Sequence, residues 1–284
     1  ISSHKALELA RSGKQIGSIV SVLFLQLRLA FQRGDLLTVQ ALLEEMYSEI
    51  QLSKQSLYLH TADLCGAFVA AQLKQPESIA PWIRQGEFFS SRLLFPAQSY
   101  FHIVYGQVLL AAGEERKLLG LSEQLLEAAA LFPNLLAQIY LHIYIAAANE
   151  KLFRREAARQ ALASALELAI PDGLLMPFVE NVAYLESLLD ETVRGSYRKE
   201  GAELAKLVQH YQKSLLRMQQ ELGSVAVKPV LTQREQEIVA LATEGLTNRE
   251  IGVELGISEN TVKTQLKRIF EKLGIRSRAL LKKN

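Results

Sequence analysis

Residues 247–270 read TNREIGVELGISENTVKTQLKRIF, a segment with the signals of two short helices joined by a tight turn. Thr247 and Glu250 form a capping box, in which a hydroxyl and a carboxylate satisfy the free amides at a helix start. Gly256 permits the left-handed backbone that ends the first helix, and Ser258 is placed to cap the second. Two helices around such a turn predict a helix-turn-helix.

The spacing of apolar residues predicts which side of the second helix is buried. Val262 and Leu266 lie on one face, together with Ile269 and Phe270. In a helix-turn-helix the second helix enters the major groove of DNA, and its N-terminal residues meet base edges. We therefore predict that the opposite, polar face binds DNA. The residues of that face are Asn260, Lys263, Thr264, Lys267 and Arg268.

The flanking segments predict a small unit of four helices. Residues 232–235 form another capping box, which predicts a helix that ends before Gly245. Gly274 ends the second helix of the motif, and Ser277 is placed to cap a short last helix. The predicted unit spans residues 231–284.

Charge is distributed unevenly along the chain, whose net charge is +2. Residues 1–227 carry 21 Lys and Arg against 23 Asp and Glu, whereas residues 228–284 carry 11 against 7. Within residues 258–284 the counts are 8 and 2. A basic end on a near-neutral chain is typical of a protein that meets a polyanion at that end.

Several motifs follow one another through this basic end. They include LTQRE at 231–235, the Thr-Val-Lys triplet at 261–263 and KLGIRSR at 272–278. Over essentially all of 231–280 the chain resembles the LuxR-type DNA-binding domain. The other matching segments are Glu244–Ile251 and Leu255–Ser258.

In that family the helix with the Thr-Val-Lys triplet reads the major groove. The resemblance implies base contacts by Lys263, Thr264 and Lys267, and contacts to phosphate or nearby groups by Asn260, Thr261 and Arg268. Gln265 stands where the family often has His, a difference expected to have little effect on the fold and some effect on operator preference. Arg276 and Arg278 either contact phosphate or keep the last turn soluble.

The first 190 residues or so predict helices only, because apolar residues recur at three- and four-residue steps and alternating strand patterns are almost absent. Polar turns after small residues recur at positions 34, 75, 113 and 149, which are 41, 38 and 36 residues apart. This period predicts an all-α solenoid of helix pairs, whose concave face would bind peptides, proteins or ligands. The alternative is an irregular helical bundle.

One more long helix is predicted at 197–222. Apolar residues spaced alternately four and three positions apart form a seam along one of its faces. It forms either a dimeric coiled coil or the last helix of the solenoid, and we favour the second. Gly223–Val230, with small residues and a proline, predicts a linker. The predicted domains are residues 1–222 and 231–284, joined by 223–230. The seam consists of Leu204, Val208, Tyr211, Leu215, Met218 and Leu222.

The first domain has its own resemblance. After the repeated turns come Ile170–Phe178 and Leu185–Leu189. In these features the chain resembles the C-terminal half of MalT-like LuxR regulators. Such proteins carry an N-terminal ATP-binding module, a tetratricopeptide-like sensor superhelix and a LuxR-type tail. The resemblance implies a C-terminal fragment, since the chain starts at Ile1 and not at Met. No phosphate loop of the Gly-x-x-x-x-Gly-Lys-Ser/Thr type occurs in the 284 residues, so we expect no ATP hydrolysis by this chain.

Other kinds of site are poorly supported. The histidines lack metal-ligand spacing, no nucleophile–base arrangement occurs, and we expect no metal, no cofactor and no catalysis. Cys65, the only cysteine, is expected to be a small buried apolar residue. The aromatic residues at 100–105 and 140–144 are expected to pack between helix layers, in preference to lining a groove that stacks on a sugar or other effector.

The apolar run 16–30 is interrupted by polar residues, so no membrane helix is expected, and no signal peptide opens the chain.

The sequence therefore predicts a bacterial, cytoplasmic, sequence-specific transcription regulator that is not an enzyme. Its tail binds double-stranded promoter DNA. Its helical body senses a small-molecule or protein effector, or mediates assembly as a homodimer or an effector-driven oligomer, and RNA polymerase is a further candidate partner. The alternative is an interaction scaffold whose tail docks protein and not DNA.

Overall fold

The computed structural model describes residues 3–88, 93–130, 135–224, 233–273, 278 and 281. All regular elements within these ranges are helices, which confirms the all-α prediction for the described residues. The chain divides into two compact units, Ile1–Gly223 and Ser224–Asn284, which we call the body and the tail.

The body contains twelve α-helices among its described residues. They are α1 (Ser3–Ser12), α2 (Ile16–Arg33), α3 (Leu36–Ser53), α4 (Leu59–Gln72), α5 (Pro81–Gln85), α6 (Phe95–Ala111), α7 (Glu115–Ala130), α8 (Leu135–Lys151), α9 (Arg155–Ala169), α10 (Met176–Glu180), α11 (Val182–Ser196) and α12 (Arg198–Ser224). The tail contains α13 (Gln233–Glu244), α14 (Asn248–Leu255) and α15 (Glu259–Leu273).

Alternate helices of the body stack on one another. Helices α2, α4, α6 and α8 pack in series, while α3 packs on α2, α7 on α6, and α9 on α8. One continuous apolar core runs through the stack from Leu7 to Met218. The body is therefore a series of packed helix pairs.

The turns of this stack repeat more regularly than the sequence predicts. Backbone φ is positive at Gly34, Lys74, Gly113 and Phe153, positions that are 40, 39 and 40 residues apart. Each of these residues lies just beyond the end of a stacked helix. The pair of helices that forms one repeat therefore occupies about forty residues.

The predicted turn at Asn149 is wrong. Helix α8 continues through it to Lys151. The side chain of Asn149 is buried, and its Nδ2 donates to the carbonyl of Ile145 over 2.9 Å. Because this bond runs back along the helix to the residue four positions earlier, Asn149 remains helical. The residue with the left-handed conformation is instead the exposed Phe153.

Helix α12 packs on the body through its predicted seam. Leu204, Tyr211 and Met218 are buried, and the Tyr211 ring centroid is 6.1 Å from that of Phe31 in α2. The Ser214 hydroxyl donates to the carbonyl of Gln32 over 2.7 Å. Of the two arrangements predicted for this segment, the structure has the intramolecular one.

The end of α12 corrects the predicted linker. The helix runs to Ser224 and so includes the first two of the linker residues 223–230. Leu222 is half-buried against the body core, and this packing supports the helix up to this point. The remaining predicted linker residues, 225–230, lie outside the described residues.

A polar cluster of Arg28, Tyr140 and Glu180 lies between α2, α8 and α10. Arg28 forms an ion pair with Glu180, and Tyr140 donates its hydroxyl proton to the same carboxylate. The side chain of Glu180 is only 2% exposed, while that of Arg28 is 23% exposed. Burial of a carboxylate is costly unless it is paired and hydrogen-bonded, and here both conditions are met.

Helix α2 is more apolar than the sequence analysis anticipated. Its 18 residues reach a mean hydropathy of 1.2, so by length and composition it could cross a membrane. In the structure Leu23, Leu27 and Phe31 are buried in the body core. Its apolar surface is therefore partly covered by other helices of the same chain.

Candidate nucleic-acid interface

The three helices among the described residues of the tail share a small apolar core. Ile238 and Ala242 of α13 contact Ile251 of α14 and Val262 of α15 in one buried cluster. Leu266 and Ile269 complete the inner face of α15. The buried residues of α15 lie on the face that the sequence predicts to be buried.

The start of α14 has the predicted capping box. The backbone amide of Thr247 donates to Glu250 Oε2 over 2.6 Å, and the amide of Glu250 donates to Thr247 Oγ1 over 3.3 Å. The Thr247 amide, together with the Thr247 hydroxyl and nearby Arg278, lowers the pKa of the Glu250 carboxyl. The capping box predicted at 232–235 includes Thr232, which lies outside the described residues.

The turn between α14 and α15 is tight. Gly256 adopts φ 66°, in the left-handed region that favours glycine. Gly252 is buried one turn earlier, and a Cβ atom there would lie 2.7 Å from the carbonyl oxygen of Ile257. The absence of a side chain at Gly252 therefore lets α14 approach the turn, a requirement that the sequence analysis missed.

Ser258 caps α15 as predicted. Its Oγ accepts a hydrogen bond from the Thr261 amide over 3.1 Å and lies 2.8 Å from the Thr261 hydroxyl. The cap fixes the residue at which the helix begins. It thereby fixes which side chains of α15 point away from the core.

All six candidate DNA-binding residues are exposed on α15. Lys263 and Lys267 are four residues apart and share one face. The Thr264 hydroxyl donates to the carbonyl of Asn260 over 2.9 Å, so its proton is engaged within the helix. The structure thus brings the six residues onto one helix surface. They are Asn260, Thr261, Lys263, Thr264, Lys267 and Arg268.

Arg278 has a role that the sequence analysis did not foresee. Its guanidinium donates to the carbonyl of Ala242 over 3.0 Å, and also to the carbonyl of Leu246. Its Nη1 is 3.4 Å from Asn248 Oδ1. Arg278 therefore connects the end of α13 to the start of α14, whereas Arg276 lies outside the described residues.

Arg234 makes a similar connection at the other end of α14. One nitrogen of its guanidinium donates to Glu237 over 2.8 Å, and another donates to the carbonyl of Leu255. The last carbonyls of a helix lack partners within the helix and carry the negative end of its dipole. This requirement for donors at helix ends is the signal by which both arginines could have been found.

The tail matches a known protein family. Residues 229–281 match the family described as bacterial regulatory proteins, luxR family. The chain is 42% identical over 52 residues to the spore germination protein GerE of Bacillus subtilis, a match that covers 18% of this chain and 70% of GerE. It is 48% identical over 50 residues to the probable transcriptional regulatory protein SgaR of Hyphomicrobium methylovorum.

The extent of these matches differs between relatives. The SgaR match covers 18% of this chain and 24% of SgaR. The transcriptional regulatory protein LiaR of Bacillus subtilis is 52% identical over 48 residues, which cover 17% of this chain and 23% of LiaR. This chain therefore spans about a quarter of the length of these two relatives. No solved protein structure matches the chain significantly. By its match to GerE and to the family as a whole, the chain belongs to the luxR family of bacterial regulatory proteins.

Proposed function

We propose that the chain is a sequence-specific transcription regulator that inserts α15 into the major groove of promoter DNA. One observation carries the proposal: the apolar face of α15 is buried in the tail core, while six polar or basic residues on the same helix are exposed. A helix of this kind after a tight turn is what a helix-turn-helix presents to DNA. Membership of the luxR family supports the same function.

The six residues divide into two roles under this proposal. Lys263, Thr264 and Lys267 contact base edges, as the resemblance to the LuxR-type domain implies. Asn260, Thr261 and Arg268 contact phosphate or nearby groups. Base contacts confer sequence preference, whereas phosphate contacts add affinity that falls with salt.

Site selection from a pool of random duplexes tests the proposal directly. The full chain is mixed with the pool, and bound duplexes are recovered and sequenced over several rounds. We expect one enriched sequence, bound more tightly than random duplex and less tightly as salt rises. Recovery without enrichment would contradict sequence specificity, and no binding at low salt would favour the alternative of a protein-docking scaffold.

We propose further that the body is a tetratricopeptide-like, MalT-like superhelix that controls the tail in the bacterial cytoplasm. It would sense a small-molecule or protein effector or drive self-assembly, so that two tails bind adjacent half-sites, with RNA polymerase as a later partner. The forty-residue repeat of helix pairs supports this architecture. Helix α12 supports the coupling, because it packs on α2 and its end directly precedes the tail.

Loosening α12 tests this coupling in the full chain. Tyr211→Ala removes a buried ring that packs against Phe31, whereas Gln212→Ala changes an exposed neighbour on the same helix. We expect Tyr211→Ala to change the affinity for a selected duplex at least threefold and Gln212→Ala to leave it unchanged. Equal affinities of both variants and the parent chain would contradict control of the tail through α12.

A further inference from the structure

A cavity of about 770 Å³ lies between α2, α4 and α6, near the N-terminal ends of these helices. Its volume falls within the range of about 300–1,000 Å³ that is typical of small-molecule sites. The aromatic packing predicted for residues 100–105 does not fill it, since Tyr100 lies in its wall. Representative lining residues are Ser21, Phe24, Tyr58, Thr61, Ala97 and Tyr100.

The lining is apolar with a few hydroxyl groups. Phe24 and Ala97 contribute carbon surface, while Ser21, Tyr58 and Thr61 contribute hydroxyls. No side chain of Asp, Glu, Lys, Arg or His is among the described residues that line the cavity. A charged ligand would therefore lose its hydration without gaining an opposite charge.

One glycine and one leucine lie near the entrance of the cavity. A Cβ atom at Gly17 would lie 3.0 Å from the Tyr58 hydroxyl oxygen, so the glycine lets the tyrosine ring lie against α2. Leu25 also lines the cavity and remains 58% exposed. An apolar side chain at the rim of a cavity leaves carbon surface in water, and a bound apolar molecule would cover it.

Tyr100 contributes its ring, and not its hydroxyl, to the cavity wall. Tyr100 lies in the cavity wall, its ring centroid 5.1 Å from that of Phe24. Its hydroxyl is buried and has no hydrogen-bond partner within the part of the chain that the structure describes. A fully buried hydroxyl does not face the cavity, so a hydroxyl or carbonyl group of a ligand would pair instead with Ser21, Tyr58 or Thr61.

We propose that this cavity binds a small, uncharged, mainly apolar molecule that carries at least one hydroxyl or carbonyl group. The statement that the bound molecule is the effector rests on the proposed sensing function of the body. The statement that the cavity binds such a molecule does not, because ligand binding is measured without DNA. The two proposals therefore fail separately.

A pair of fluorescent probes tests both the site and its charge preference. N-phenyl-1-naphthylamine is uncharged, and 8-anilino-1-naphthalenesulfonate has the same ring systems with an added negative charge. Each probe is titrated into the full chain while its fluorescence is recorded. We expect one saturable site per chain for the uncharged probe and at least tenfold weaker binding of the sulfonate. No saturable binding of the uncharged probe, or tighter binding of the sulfonate, would overturn the proposal.

A matched pair of serine variants locates the bound probe. Ser21 lines the cavity and Ser12 does not, yet both are exposed and both hydroxyls donate to a carbonyl of their own helix. We expect Ser21→Phe to weaken binding of the uncharged probe at least tenfold and Ser12→Phe to leave it within twofold. Equal binding by the two variants would overturn the assignment. Should circular dichroism show Ser21→Phe to be misfolded, Ala97→Leu, which narrows the same cavity, carries the test.

Discussion

The tail and the body are both helical, but they are held by contacts of very different range. In the tail, α14 and α15 begin at caps whose partners are three residues apart, Thr247 with Glu250 and Ser258 with Thr261. In the body, Arg28 pairs with a carboxylate 152 residues away, and Ser214 bonds to a carbonyl 182 residues away. Local caps define where α14 and α15 begin, whereas the body depends on much more distant parts of the chain meeting.

This difference has a consequence for function. The caps of the tail fix where α15 starts and hence which residues it exposes. The body's long-range contacts instead connect α2 with α10 and α12. We therefore expect substitution of a capping residue in the tail to affect DNA binding. Substitution of a long-range contact pair in the body should affect the stability of the whole stack.

The largest effect on stability is expected from the buried ion pair. Glu180→Leu leaves Arg28 and Tyr140 without their shared carboxylate and should lower the free energy of unfolding of the body by about 3–5 kcal/mol. Arg28→Met combined with Glu180→Leu should recover most of this loss, because no unpaired charge remains. Urea unfolding followed by the fluorescence of Trp82, the only tryptophan, measures the body alone.

The exposed ion pair of Arg155 with Glu191 is the control for that experiment. Its side chains are 54% and 44% exposed. Glu191→Leu should change the free energy of unfolding by no more than about 1 kcal/mol. A loss in the double variant as large as that in Glu180→Leu would contradict the explanation by an unpaired charge.

The next effect is expected at the turn of the tail. Gly252→Ala places a methyl group against the carbonyl of Ile257, which is backbone and has little freedom to move. We expect a loss of about 1–3 kcal/mol in the stability of the tail, as for other overpacked sites. Hydrogen exchange of α13–α15, followed by mass spectrometry, measures it. Gly120→Ala in α7, where an added Cβ meets nothing within 4 Å, should cause no loss and is the control.

A smaller effect is expected at the cap of α15. Ser258→Ala removes the acceptor of the Thr261 amide and should lower tail stability by about 1 kcal/mol. Ser258→Asp should retain most of it, because a carboxylate also accepts at this position. The same exchange measurement compares the two variants. Equal protection in alanine and aspartate variants would show that the cap contributes nothing.

The smallest effect concerns pH and the start of α14. The pKa of Glu250 is lowered in the folded tail, so its ionised form stabilises the fold above the ordinary glutamate pKa of about 4.3. That contribution is lost as the pH falls through the lowered value. Glu250→Gln should therefore be less stable than the parent at pH 7, and the difference should disappear in acid. A difference that grows in acid would contradict this sign.

Sequence reasoning was sufficient where structure is specified locally. Thr247, Ser258 and Gly256 define the ends of two helices through neighbours a few residues away. Once those ends are placed, helical periodicity alone assigns Val262 and Leu266 to the core and the candidate DNA-binding residues to the surface. The same periodicity was sufficient for the all-α class of the body.

Long-range contacts explain what the sequence did not show. Arg28 interrupts an apolar run, and nothing near it indicates that Glu180 is its partner. Asn149 is of a residue type common in turns, but its buried side chain bonds to Ile145 and the turn lies at Phe153 instead. Arg278 reaches the end of α13 from 36 residues away. Each case depends on a packing arrangement that exists only after the chain has folded.

Charge reversal on α15 tests the central claim most directly. Lys263→Glu with Lys267→Glu reverses two exposed charges on the proposed DNA-binding face, and Lys206→Glu with Lys213→Glu makes the same change on exposed positions of α12. Affinity of the full chains for a selected duplex is measured by fluorescence anisotropy at two salt concentrations. We expect the first variant to lose roughly 100-fold or more in affinity, with a weaker salt dependence, and the second to bind almost as the parent does. Equal affinities of the two variants would contradict the claim that α15 is the surface that binds DNA.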